Sequence, residues 1–163
     1  MVADMTLRFG SRRVPTTVHW PRGTTAWLTL VLSDELSPTD PWVESTVVIA
    51  LPGRHPEWLM VAALHWVGEH AGELGARGDC LLVAGGARAA LLALAARDAG
   101  WPVLHRQLVV RPEFTRPWRM PDDVAGAPPA VVVCGDRDDG ARYAAHLRTA
   151  GVAVHEVRDS DRD

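Results

Sequence analysis

A loop rich in arginine and aromatic residues contains side chains whose types and spacing could bind an anion. Positions 111–119 read RPEFTRPWR, so three arginines, Arg111, Arg116 and Arg119, alternate with Phe114 and Trp118. Guanidinium groups bind phosphate or carboxylate through paired hydrogen bonds, and aromatic rings add stacking. The sequence therefore predicts an anion-binding loop, and the alternative is a loop that packs over an exposed edge of the protein.

Histidine and glutamate residues cluster in one predicted helix, at His65, Glu69, His70 and Glu73. Such pairs can bind zinc when they share a helical face. The one histidine–glutamate pair four residues apart is His65 and Glu69, and no third ligand is identifiable. A solvated polar face is the better interpretation, and neither a metal nor a cofactor is expected.

Two glycines, Gly85 and Gly86, stand between a predicted strand and a predicted helix, as in a turn that binds phosphate. The third glycine of such a turn is missing. A nucleotide site is therefore not expected.

The composition excludes several classes of function. The chain has 163 residues, 47% hydrophobic and 23% charged, which is typical of one globular domain. Its net charge of −3 gives no general attraction for nucleic acid or an anionic membrane. All 17 basic residues are arginine, and asparagine is absent too, which suggests a GC-rich genome. Schiff-base and Walker-type lysine chemistry are excluded.

The sequence predicts a cytoplasmic protein. The stretch Met1 to Arg13 is charged and lacks the apolar core of a signal peptide. The longest apolar stretch, Leu81 to Ala96, is too short to span a bilayer. Cys80 and Cys134 each lie beside an apolar run, and we expect two buried thiols rather than a disulfide.

Alternating apolar runs and helical patterns predict an α/β protein with a doubly wound, mostly parallel sheet of about eight strands, opened by an antiparallel hairpin. The predicted strands are Leu7–Phe9, Thr16–Trp20, Ala26–Leu32, Thr46–Leu51, Cys80–Ala84, Gln107–Val110, Ala130–Cys134 and Val152–Val157. The predicted helices are Pro56–Leu74, Ala87–Ala99 and Asp138–Ala150. The proline-rich stretch from Arg111 to Pro129 is predicted to be a loop.

Four phrases resemble a known family. They are WVGEHAGELG at 66–75, ARDAG at 96–100, DDGARYA at 138–144 and LRTAGV at 147–152. Together they resemble the α/β-hydrolases, specifically the esterases like hormone-sensitive lipase, over roughly residues 44–157. The resemblance implies a minimal, lidless α/β-hydrolase fold, with residues 1–163 forming a single truncated domain.

The nucleophile of that family is missing from the motif where the resemblance places it. The family's G-D-S-A-G elbow corresponds here to GGARA at 85–89, so Ala87 stands where the catalytic serine belongs. No neighbouring Ser, Cys or Thr can replace it. Arg88 takes a position that the family keeps small, which would direct a long cation into the former pocket.

The other catalytic groups of the family are also degenerate in this sequence. The family's oxyanion-hole phrase after the third strand is replaced by Asp34 and Glu35, which would repel an oxyanion. The sequence ends in a charged tail without the family's histidine, and His155 lies within the last predicted strand. Asp136, or Asp138, remains near the position of the family's acid, where a helix cap or a solvated loop residue is expected.

We expect a pseudo-hydrolase that binds a small ligand or a partner protein, with homodimerisation covering its lidless cleft. The alternative is an enzyme doing non-covalent acid/base chemistry, such as a cyclase, lyase or isomerase. A third possibility is a structural subunit of another enzyme. Candidate binding or acid/base residues are Asp34, Glu35, Gly86, Ala87, Arg88, Arg111 and Asp136.

Overall fold

The structure, a computed structural model, describes residues 1–32, 36–37, 40–41 and 43–159. Its strands are β1 (Val2–Phe9), β2 (Arg12–His19), β3 (Leu28–Val31), β4 (Val47–Ala50), β5 (Leu81–Gly85), β6 (Leu104–Val110), β7 (Ala130–Cys134) and β8 (Val154–Arg158). Its helices are α1 (Glu57–His70), α2 (Ala87–Ala99) and α3 (Asp139–Thr149).

All eight strands belong to one sheet with the order β1-β2-β4-β3-β5-β6-β7-β8. β1 and β2 form an antiparallel hairpin, and β2 also runs antiparallel to β4. The pairs from β4 through β3, β5, β6 and β7 to β8 are all parallel. The predicted α/β class and the mostly parallel sheet of eight strands are confirmed.

The first strand is longer than the sequence pattern predicts. It begins at Val2 rather than Leu7, and its pairing with β2 runs from Val2 opposite His19 to Phe9 opposite Arg12. Most side chains in its first half are exposed, so they show no apolar alternation. Backbone pairing, rather than burial of side chains, defines this part of the strand.

The helices pack on one face of the sheet. α1 and α2 contribute the fully buried Leu59, Leu64 and Leu92 to a core that also includes β3, β4 and β5. α3 contributes Tyr143 and Leu147 to a core shared with β7. α1 ends at His70, four residues earlier than predicted, because residues 71–75 tighten into turns. Of the helices in the described ranges, none has both the length and the apolar character needed to cross a membrane.

A third apolar cluster lies on the opposite face of the sheet and receives no side chain from α1, α2 or α3. Its strand members are Val31, Val48, Ala84, Leu108, Val110, Val131 and Val133. Leu36 and Val43, from the connection between β3 and β4, complete it. These side chains are all buried, so the strands that reach the site are packed on both faces.

The long connection between β6 and β7, residues 111–129, is a loop, as predicted. Its end is fixed by Gln107, which is fully buried in β6 and donates from Nε2 to the carbonyl of Pro128 at 3.0 Å. The hydroxyl of Tyr143 donates to Oε1 of Gln107 at 2.8 Å. The ring of Phe114 lies 5.4 Å from that of Tyr143. The backbone N–H of Phe114 donates to the carboxylate of Asp139 at 2.7 Å. The loop is therefore tied to α3 near its start and to β6 at its end.

Candidate functional site

A cavity of about 710 Å³ lies at the carboxyl ends of the central parallel strands. Its wall includes Leu32 after β3, Gly86 after β5, Val110 at the end of β6 and Gly135 after β7. Carboxyl ends of parallel strands meet at one edge of a sheet, which is where open α/β folds bind their ligands. Its volume falls in the range of small-molecule sites, about 300–1,000 Å³.

The turn from β5 into α2 brings the first candidate residues to this cavity. Gly85 ends the strand, Gly86 precedes the helix, and Ala87 is its first residue. A Cβ built on Gly85 would lie 3.4 Å from Leu32 and 3.5 Å from the Cβ of Ala89, so the turn is closely packed. Ala87 is 7% exposed and lines the cavity with its methyl group, which cannot attack a carbonyl.

The backbone at Ala87 differs from that of a strained elbow. A nucleophile elbow holds its residue on a sharp, strained strand-to-helix turn. Among the described residues, the only one other than glycine with a positive φ is Arg111, at 43°. Ala87 is therefore an ordinary first residue of a helix, and both the hydroxyl and the strain of the elbow are missing.

Arg88 lines the cavity from the first turn of α2. Its Nη1 donates to the carbonyl oxygen of Gly53 at 2.9 Å. This bond ties α2 to the loop between β4 and α1. The first turn of α2 contains no acidic residue, and Gly86 provides no side-chain cap. The guanidinium of Arg88 therefore belongs to the N-terminal end of a helix, where a negative charge is normally favoured.

Arg111 is held between two parts of the chain. Its backbone N–H donates to Val133 at 2.7 Å, and its Nη1 donates to the carboxylate of Asp159 at 3.0 Å. A Cβ built on Gly135 would lie 2.9 Å from the Cγ of Arg111. Only a residue without a side chain leaves room for Arg111 at this point of the wall.

The arginine-rich loop divides into two parts. Arg116 and Trp118 line the cavity together with Arg111, as do Glu113 and Thr115. Phe114 instead packs on Tyr143, and Arg119 lies outside the cavity wall. The structure thus brings two of the three arginines of the predicted anion-binding loop to the site.

Asp136 and Arg137 follow β7 and line the cavity, and both are exposed. Asp138 stands at the start of α3 without a side-chain capping bond, and Asp139 instead receives the N–H of Phe114. Gly86, Ala87, Arg88, Arg111 and Asp136 therefore share one cavity. The remaining candidates, Asp34 and Glu35, lie outside the described residues.

Sequence reasoning missed Arg54 and His55, which line the cavity from the loop after β4. Nε2 of His55 donates to the carbonyl of Pro52 at 2.7 Å, and its Nδ1 is buried without a partner. Arg54 and His55 could have been found from the position of their loop, which directly follows β4. β4 is parallel to β3, so its carboxyl end opens on the same edge.

His65, His70 and the two thiols lie outside the cavity and are engaged in packing. The ring of His65 meets Trp101 edge-on at 5.2 Å, and His70 stacks on Trp66 at 4.3 Å. Within the described ranges, no three His, Cys, Asp or Glu residues are grouped to hold a metal. Cys80 and Cys134 are buried free thiols, and burial raises the pKa of each.

No family model matches the chain. In sequence it is similar to carboxylesterase NlhH of Mycobacterium tuberculosis, from strains CDC 1551 / Oshkosh and ATCC 25618 / H37Rv. Identity is 33% over 144 residues, covering 57% of this chain and 45% of the relative. The chain thus spans less than half the length of the curated relatives it matches.

The structure is similar to solved esterases. A thermostable esterase from Pseudomonas putida ECU1011 matches with a TM-score of 0.78 and 23% identity, covering 97% of this chain and 72% of that one. EstE1, a thermophilic carboxylesterase from a metagenomic library, matches with a TM-score of 0.79 and 19% identity, covering 97% and 78%. A hyperthermophilic esterase from Pyrobaculum calidifontis matches with a TM-score of 0.78 and 20% identity, and the match covers 97% of this chain and 75% of that one.

The chain has the α/β-hydrolase fold, and the proteins named above, to which it is similar in sequence or in structure, are esterases. The resemblance drawn from its motifs to the α/β-hydrolase esterases is confirmed.

Proposed function

We propose that this chain is a non-catalytic α/β-hydrolase-like protein that binds a small molecule in the cavity at the carboxyl ends of its strands. The observation that carries the proposal is Ala87, the first residue of α2, which lines that cavity at the position where the motif resemblance puts the nucleophile. In a serine hydrolase, losing the serine alone costs about 10⁶-fold in kcat. Hydrolysis by the family mechanism is therefore not expected.

The described residues of the cavity wall provide no activated nucleophile. Thr115 supplies the hydroxyl on the described wall, and its oxygen makes no hydrogen bond to a described basic side chain. A hydroxyl is a weak nucleophile unless an adjacent base activates it. The contents of the cavity favour binding over acyl transfer.

The cavity also favours a small molecule over a partner protein as the ligand. Protein interfaces are broad surfaces, whereas concave sites of several hundred Å³ suit small molecules. In the part of the chain that the structure describes, the large exposed apolar side chains, which would suit a protein partner, are Met1, Val2, Trp58, Trp101 and Val103. None of them lines the cavity.

The proposal is tested by hydrolysis of p-nitrophenyl acetate and p-nitrophenyl butyrate together with native mass spectrometry. We expect ester hydrolysis no faster than the buffer rate, and a retained small molecule in the mass spectrum. Turnover that Thr115→Val abolishes, and that the matched surface change Thr6→Val leaves intact, would overturn the proposal.

A second candidate is an enzyme that does acid/base chemistry without a nucleophile. The observation that favours it is the presence of two carboxylates, Glu113 and Asp136, on the same wall as the arginines. A carboxylate beside an anion-holding arginine can move a proton in an isomerisation or elimination. Incubation with a metabolite extract would then convert one compound into an isomer or fragment, and the conversion would stop in Glu113→Gln or Asp136→Asn.

A further inference from the structure

We infer that the cavity binds a small organic molecule carrying a phosphate or diphosphate group. This inference rests on the proposed function, because it names the chemistry of the ligand for the same site. Five of the described lining residues are arginines, and they arrive from four different segments. They are Arg54, Arg88, Arg111, Arg116 and Arg137.

The charge of the cavity wall favours a multiply charged anion. Among the described lining residues the five guanidinium groups face two carboxylates, those of Glu113 and Asp136, and Arg111 is also paired with Asp159, which leaves an excess of two positive charges. The chain as a whole carries a net charge of −3, so the cations are concentrated here against the general balance. A monocarboxylate would neutralise one of them, whereas a phosphate or diphosphate group carries two or three negative charges.

The geometry of guanidinium groups also favours phosphoryl oxygens. Arginine presents paired N–H donors that match phosphate, and several arginines can share its oxygens. In the described part of the chain, Arg54, Arg116 and Arg137 make no hydrogen bond or ion pair through their guanidinium groups. These three groups can turn to a ligand without breaking a contact within the protein.

An organic part of the ligand is accommodated beside the charges. Leu32, Val110 and Pro112 line the cavity with apolar surface, and the half-buried ring of Trp118 offers a face for stacking. A volume of about 710 Å³ exceeds what a phosphate group alone would fill. The wall thus combines a cationic part for phosphoryl oxygens and an apolar part for the remainder of the molecule.

Backbone strain is concentrated at the same place. Arg111 is the one described residue other than glycine with a positive φ, 43°, and its side chain occupies the space that Gly135 leaves open. Strained backbone conformations cluster at functional sites, where the surrounding structure holds them in place. Here it fixes a cation on the cavity wall.

The test is isothermal titration of the intact chain with inorganic pyrophosphate, inorganic phosphate and acetate at low and high salt. We expect pyrophosphate to bind with a Kd below about 1 mM, phosphate more weakly, and acetate not measurably. Higher salt should weaken binding, because four of the five arginines are exposed and Arg88 is only partly buried. The double variant Arg116→Gln/Arg137→Gln should bind pyrophosphate at least tenfold more weakly, with an unchanged unfolding midpoint.

Arg13→Gln is the matched control, since it removes one exposed positive charge from β2, away from the cavity. Pyrophosphate affinity should be the same in this variant as in the original chain. Equal affinity in the double variant and in the original chain would overturn the inference. The inference would also be overturned if pyrophosphate did not bind at a concentration tenfold above the expected Kd.

The failure of this inference can be told apart from that of the proposed function. If a carboxylate or neutral molecule is retained in native mass spectra while pyrophosphate does not bind, the inference fails and the binding function stands. If pyrophosphate binds but esters are hydrolysed at the cavity, the inference stands and the non-catalytic function fails.

Discussion

Arg111 lies so close to Gly135 that a Cβ built on the glycine would stand 2.9 Å from Cγ and 3.2 Å from Cδ of the arginine. The contact involves the base of the side chain rather than its flexible end. Gly135 comes directly after β7, and Arg111 directly after β6. Because Gly135 has no side chain, the ends of the neighbouring strands β6 and β7 leave room for the side chain of Arg111.

Gly135→Ala should displace Arg111 from the cavity wall. We expect pyrophosphate affinity to fall by about five- to thirtyfold, which corresponds to the loss of one charge-assisted hydrogen bond, about 1–2 kcal/mol. Titration calorimetry measures the change. The control is Gly72→Ala, where a Cβ would meet nothing within 4 Å. Equal affinity in the two variants would show that Gly135 does not position Arg111 for binding.

Ala87→Ser should restore the hydroxyl of the elbow without restoring catalysis. The residue is the first of α2, in unstrained backbone, so the free energy of unfolding should change by less than about 1 kcal/mol. A fluorophosphonate probe measures whether the new hydroxyl is activated. We expect no labelling of Ser at this position, and rapid labelling would show that a base does reach it.

Tyr143 should titrate abnormally, and it can be followed alone because it is the single tyrosine of the chain. Burial raises its pKa to about 12, partly offset by the bond to Gln107. Ultraviolet absorbance of tyrosinate should therefore rise near pH 12 in the folded chain and near pH 10 in urea. A folded-state midpoint near 10 would contradict the burial of this ring.

The same group should make stability depend on pH in the alkaline range. Between pH 10 and pH 12 the unfolded chain releases the tyrosine proton while the folded chain retains it. The stabilisation is thus complete below pH 10 and is lost as pH rises, by up to about 2–3 kcal/mol. The chain has no lysine to titrate in this window. In urea unfolding experiments, the free energy of unfolding of Tyr143→Phe should decline less between pH 10 and pH 12 than that of the original chain.

Homodimerisation remains a prediction, but we now expect it away from the cleft that the sequence suggested, because the large exposed apolar side chains of the described residues lie elsewhere. Trp101 and Val103 are 40% and 70% exposed and lie outside the charged cavity. We expect sedimentation equilibrium to give twice the mass of one chain, and Val103→Ser to weaken the association at little cost to folding. A single-chain mass for the original protein at high concentration would contradict this prediction.

Much of the fold could be predicted from apolar runs and glycine positions. α2 has the predicted bounds, because Gly100 ends it in a left-handed conformation with φ of 75°. The start of β1 could not be predicted, since its side chains are exposed and only its pairing with β2 defines it. The end of α1 was also misplaced, because its apolar pattern continues through turns to Leu74.

The site was predictable where it adjoins a recognisable motif and not elsewhere. The elbow motif predicts that Ala87 and Arg88 lie at the site, and the end of the apolar run of β6 does the same for Arg111. Arg54 lies in a short loop without a motif, and only the direction of β4 places it at the cavity. Arg119 lies outside the cavity wall although it belongs to the same alternation of arginine and aromatic residues, so the pattern alone does not show which side chains reach the site.

The cavity wall joins segments that are distant in sequence, from Arg54 after β4 to Arg137 after β7. A ligand that bridges both would act as a reversible cross-link between strands that otherwise touch only through β3, β5 and β6. Opening any one of these strands would then require releasing the ligand first. Amide hydrogen exchange in β4 and β7 should consequently slow together on ligand binding, while exchange in β1, at the far edge of the sheet, should keep its original rate.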